Sequence, residues 1–160
     1  MTDRDTHSQV VRWIATVTGT QTIKSHQSGT APSLPYIMVN MTGSEEVRVH
    51  EQTIEYANQG PDVKATPVIE MEWRFSVHAY GPNPTDILRP IRSAMKLSQV
   101  MEPILPSLIV HEISQIRSVP DWINNQWQPR AQMDVFVRGL TRDGFVLDVI
   151  EQTEINFERV

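Results

Sequence analysis

Residues 67–101 read PVIEMEWRFSVHAYGPNPTDILRPIRSAMKLSQVM, and this stretch decides the fold. Met71, Trp73, Phe75, Val77 and Ala79 fall on one side of an alternating segment. Glu70, Glu72, Arg74, Ser76 and His78 fall on the other. Strand side chains alternate with period 2, so one face suits a core and the other suits water or a polar neighbour. The strand stops at Tyr80-Gly81-Pro82-Asn83-Pro84, where Gly81 frees the backbone and the prolines cannot donate to a ladder. Asn83 can cap a helix that begins at Pro84. Ile87, Leu88, Ile91, Met95 and Ser98 then form a stripe at helical spacing, with Pro90 expected to kink the helix or delay its start. A strand feeding a helix that folds back onto the sheet is the expected nucleus of the fold.

The rest of the chain is read outward from there. With 160 residues, 39% hydrophobic, the length suits one domain spanning 1–160 with a single core. A formal net charge of -5 argues against a strongly basic nucleic-acid binder. The absence of cysteine rules out disulfides and cysteine metal sites. No apolar run reaches the roughly 18 residues of a membrane span. The acidic, polar start, Met1-Thr2-Asp3-Arg4-Asp5, is unlike a secretory signal.

Asp3 to Val17 reads as an amphipathic helix, capped by Thr2 or Asp3 and stopped by Gly19. A connection follows, with a short strand at Thr22-Ile23-Lys24. Tyr36 to Thr42 is a strand, Gly43-Ser44 a turn, and Glu46 to Tyr56 a second strand. Ala57 to Thr66 is expected to be a polar loop that carries contacts. Leu108 to Arg117 is a strand, and Pro120 to Gln128 a corner holding Trp122 and Trp127. Arg130 to Gly139 alternates again. Asp143-Gly144 signals a hairpin turn into a last strand, Phe145 to Phe157. This order predicts an α+β fold: a mostly antiparallel sheet with an N-terminal helix and a central helix packed on one face.

Motifs for chemistry are missing. His7, His26, His50, His78 and His111 are scattered, so no helical metal-binding pair exists. Neither a Gly-rich phosphate loop nor Gly-x-Ser-x-Gly occurs. Glu70 and Glu72 share a strand face, where a solvated face or subunit contact explains them better than paired catalytic acids. No catalytic residue, cofactor or metal ligand is expected. Trp122 and Trp127 have two readings, capping the core or anchoring an interface. The candidate interface comprises Asn58, Gln59 and Asp62 in the polar loop, the mixed charges Glu70, Glu72 and Arg74, and the two tryptophans.

The order of elements carries a resemblance. The N-terminal helix, two early strands, the strand ending in Tyr80-Gly81, the helix from Pro84 and the closing segment Trp127-Gln128-Pro129-Arg130-Ala131-Gln132-Met133-Asp134-Val135 together resemble the neck or tail-terminator proteins of tailed bacteriophages. The resemblance implies a non-enzymatic virion protein, made in the host bacterial cytoplasm. Such proteins form a ring, usually of six copies, at the head-proximal end of the tail. The implied partners are further copies of the chain, the tail-tube protein and a head-completion or connector protein. Duplex DNA would pass through the lumen without specific binding, and no membrane would be involved. Another head–tail connector or tail component, a small enzyme with an assembled pocket, and a monomeric ligand-binding module are the alternatives.

Overall fold

The computed structural model describes residues 1–51, 53–101, 105 and 107–148. Its centre is a strand longer than the alternation alone marks out. The elements are α1 (Asp3–Thr18), β1 (Thr22–Lys24), β2 (Tyr36–Glu46), β3 (Thr53–Gln59), β4 (Asp62–Tyr80), α2 (Pro84–Ala94), α3 (Ser98–Met101), β5 (Leu108–Ile113), β6 (Arg117–Ser118), β7 (Asp121–Ile123), β8 (Gln126–Gln128), β9 (Arg130–Arg142) and β10 (Phe145–Leu147). The main sheet runs β1-β2-β4-β9-β5, and β1–β2 is its parallel pair. The fold is α+β with a mostly antiparallel sheet, as the pattern predicts.

The core lies where the two helices meet the odd face of β4. Trp73, Phe75, Val77 and Ala79 are fully buried there against Val10, Trp13 and Ile14 of α1 and Leu88 and Ile91 of α2. The indole Nε1 of Trp73 donates to Asp3 Oδ1 at 2.8 Å, tying the start of α1 to the middle of the sheet. Thr2 caps α1 by accepting from the Asp5 backbone N–H, and Gly19 ends the helix in the left-handed region. Asn83 precedes α2 but makes no side-chain cap bond; Pro84 is the first helical residue. Pro90 lies inside α2, which ends at Ala94 rather than reaching Ser98. Gly81 is needed in the turn, because at φ 128° a Cβ would meet Pro35 Cβ at 2.9 Å.

Several local expectations need correction. Gly43-Ser44 is no turn: β2 runs through it to Glu46, with its register on β4 shifting between Met41 and Gly43. A glycine inside a strand commonly marks such a bulge. Residues 47–50 are bends, so the second strand starts at Thr53. Ala57 to Thr66 is no loop. It contains the turn Gly60-Pro61 of a hairpin between β3 and β4, with Gly60 at φ 64° supplying the left-handed residue. The strand from Leu108 is split into β5 and β6.

Asp143-Gly144 does not reverse the chain. Arg142 pairs with Val68 and Phe145 pairs with Ala65, so β10 continues along β4 in the register of β9. The break falls opposite Thr66 and Pro67, and a proline has no N–H to give a partner. Of the expected last strand, Phe145 to Leu147 is β10; Val149, Ile155 and Phe157 lie outside the described residues, as do Pro103 and Pro106.

Candidate interaction surfaces

Three surfaces emerge from this topology. The first is an arm. Beyond the helices, β4 continues from Val68 back to Asp62, flanked by β3 on one side and β10 on the other. Its rows show which side chains share a face. Tyr56, Ala65 and Phe145 form one row, and Asn58, Val63 and Leu147 the next. Ile54 stands opposite Pro67. This face continues the odd, core-forming face of β4, yet Ile54, Tyr56, Phe145 and Leu147 are all exposed. All of β3 is exposed. Gly144 sits where a Cβ would meet Thr66 Oγ1 at 2.6 Å, so the backbone passes the arm closely there.

The second surface is the helix-free face of the sheet. Arginine and carboxylate alternate along it. Arg142 pairs with Glu55 at 3.2 Å, Arg138 with Glu72 at 2.9 Å and Arg117 with Asp134 at 3.4 Å. Arg48 lies 3.9 Å from Glu70, and Arg74 bonds Glu45 while its guanidinium lies over the Phe136 ring. Glu72 corrects the expectation of a wet face, for it is buried beside Arg138. Exposed pairs of this kind add little stability.

The third surface is a small hairpin, β7–β8, where the sequence suggests a corner. Asn124 and Asn125 turn it with φ of 51° and 61°, and asparagine tolerates that region better than most residues. Trp122 and Trp127 pair across it edge to face, centroids 5.0 Å apart. They are 57% and 65% exposed, which removes the core-capping reading. Arg130 holds the base of the hairpin through Asp121 at 2.9 Å and through the Val119 carbonyl at 3.2 Å.

The eight candidate interface residues therefore do not form one site. Asn58, Gln59 and Asp62 flank the arm's turn, Glu70, Glu72 and Arg74 lie on the ion-paired face, and the tryptophans stand on the hairpin. Sequence reasoning placed Ile54, Phe145 and Leu147 on strands but named none of them, nor Tyr56, as interface residues.

The chemistry on these surfaces is sparse. Among the described residues no group of three His, Asp or Glu could hold a metal ion, and no helix is long and apolar enough to cross a membrane. Burial holds the His78 imidazole below its usual pKa, helped by Arg130 and Arg117 and opposed by Asp134 and Asp121. Ser76 Oγ lies 3.1 Å from His78 Nε2 and accepts from Gln132 Nε2 at 2.7 Å. A nucleophile–base pair also needs a group to orient the base, and among the described residues His78 Nδ1 is buried with no partner. His7 is likewise lowered by burial and by Lys24, against the bond between its Nε2 and the Val39 carbonyl. A cleft of about 1290 Å³ between the start of α1, residues 95–101 and the β5–β9 edge mixes methionines with Asp5, Lys96 and Arg138, with no converging acid, base and nucleophile.

Compared with known proteins, the chain matches a family model described as phage neck terminator protein over residues 7–160. No curated protein matches it.

Proposed function

This chain belongs to the phage neck terminator protein family, and on that premise we propose that it forms a closed ring at the head-proximal end of the tail. The family gives a structural role in the phage neck or tail. The finer reading is that the ring caps the tail tube, docks the head-completion or connector proteins, and lets duplex DNA pass. The observation that carries it is the arm, three strands with exposed apolar side chains on one face that the chain's own helices leave bare. A protein that must contact unlike neighbours on two sides needs a head-to-tail arrangement, in which every subunit points the same way and the rotation closes.

The remaining parts fit the role. The ion-paired sheet face offers no unbalanced run of Lys and Arg for phosphate, so DNA could pass without being held. Imaging of assembled particles tests the proposal. One closed ring of this protein, six copies by analogy with the resemblance, is expected between tail tube and head connector. Copies repeated along the tail, or none in the particle, would overturn it.

A further inference from the structure

We infer that His78 is a pH-sensitive joint: a proton taken up there loosens the Trp122–Trp127 hairpin from the sheet.

His78 stands in the middle of a row on the helix-free face. Strand register places Met38, His78, Gln132 and Arg117 in that row, across β2, β4, β9 and β6. Tyr36, Tyr80 and Arg130 form the row on one side; Asn40, Ser76 and Asp134 form the row on the other. The charged groups around the imidazole are Arg130 and Asp134 from β9, Arg117 from β6 and Asp121 from β7. The Tyr80 ring stacks 6.5 Å away and itself stacks on Tyr36. At Nε2 the imidazole meets Ser76 Oγ, a group that Gln132 already uses. At Nδ1 it is buried with no partner among the described residues. A neutral ring needs one donor and one acceptor, whereas an imidazolium has two N–H groups to place. No described carboxylate bonds either nitrogen.

The surrounding charge is balanced only while His78 is neutral. Arg130 pairs with Asp121 at 2.9 Å and Arg117 with Asp134 at 3.4 Å. A proton on His78 adds a third cation to two cations and two anions. The same pairs hold the hairpin. β7 and β8 form a sheet of their own, apart from the main one. Asp121 opens β7, and Arg130 follows β8 and bonds Val119 through both its side chain and its carbonyl.

The sign follows from linkage. Burial first, then Arg130, keeps the imidazole below its usual pKa, outweighing Asp134 and Asp121. A proton therefore binds more tightly where the ring is wet and Arg130 has moved off, so acid favours that opened state. The joint is at full strength above about pH 6.5, the ordinary histidine value, and weakens as the pH falls below it. Acid would thus free the tryptophan pair from its fixed place on the body, whether or not the ring closes.

NMR of the isolated chain tests this, with the His78 imidazole and the Trp122 and Trp127 indole N–H signals followed in one pH titration. Trp73, fully buried, reports the body. The hairpin indoles are expected to lose their folded positions in step with His78 protonation, below about pH 6.5, while Trp73 holds. In His78→Gln they should hold until the carboxylates protonate, at least about one pH unit lower. Hairpin signals that stay in place while His78 protonates would overturn the inference. So would their loss at the same pH in His78→Gln, or their loss together with Trp73, which marks opening of the whole fold. Should His78→Gln not fold, the titration of the unmodified chain decides by itself.

Discussion

The two halves of β4 make an instructive pair. From Met71 to Tyr80 the odd positions carry Trp73, Phe75, Val77 and Ala79, all fully buried under α1 and α2. From Asp62 to Val68 the odd positions carry Val63, Ala65 and Pro67, in rows with Ile54, Tyr56, Phe145 and Leu147. The strand is continuous, the face is the same and the apolar character persists. Among the described residues only the cover differs: two helices over one half, none over the other. An apolar strand face states that something must cover it, not what does. In the body the cover is part of the chain. In the arm no described residue supplies it.

The largest effect should separate the halves outright. Trp73→Ala removes a fully buried indole together with its bond to Asp3 and should destabilise the folded chain by about 3–5 kcal/mol. Phe145→Ala, on the same face but 64% exposed, should change the free chain by no more than about 0.5 kcal/mol. Urea unfolding of the isolated protein measures both. Comparable losses would mean that the arm's face is covered within one chain, and the contrast between the halves would fall.

A smaller effect sharpens the view of the opposite face. Glu72 is buried and bonded to Arg138 Nε at 2.9 Å, whereas Glu45 and Arg74 are about half exposed. Removing Glu72 leaves a partly buried guanidinium short of an acceptor. Glu72→Ala should therefore cost about 1–3 kcal/mol, and Glu45→Ala less than about 0.5 kcal/mol. Equal and negligible losses in the same unfolding assay would show that this face behaves as open surface along its whole length, Glu72 included.

These contrasts also mark what could be read in advance. The body half of β4, α1 and α2 were legible because burial under a helix imposes strict periodicity and because Thr2, Gly19 and Pro84 punctuate the ends. The arm was not. Asn58-Gln59-Gly60-Pro61-Asp62 carries the composition of a loop, and a strand exposed on both faces has no core to discipline its pattern. Asp143-Gly144 was misread for a related reason. Its turn chemistry is local, while the edge of β4 that keeps β10 in line lies some eighty residues earlier. Trp122-Ile123-Asn124-Asn125-Gln126-Trp127 did hold a hairpin signal, two asparagines between matched tryptophans, but its polar composition read as a corner. The candidate site was legible only as three separate hints, since rows across strands decide which residues share a face.

The smallest effect on the fold is expected where the effect on assembly should be greatest. Asn58 pairs with Val63 and Gln59 with Asp62, around the turn Gly60-Pro61. Deleting 58–63 outright would join the paired residues Ala57 and Lys64 with no turn between them, so the clean change replaces 58–63 with Asn-Gly. That dipeptide favours the tight turn a two-residue hairpin needs, and the shortened arm keeps the Tyr56–Ala65–Phe145 row. Every side chain removed from β3 is exposed, so unfolding of the isolated chain should shift by less than about 0.5 kcal/mol. If the arm's tip reaches a neighbour or the tube, the same variant should lower the yield of tails joined to heads, counted by microscopy of particles from a complementation assay. If the tip is idle and only the aromatic row matters, joining should be normal, while Tyr56→Ala in the full-length arm should impair it. Normal joining in both variants, with both proteins folded, would leave the bare half of β4 without a partner, and the comparison between its halves would lose its functional meaning.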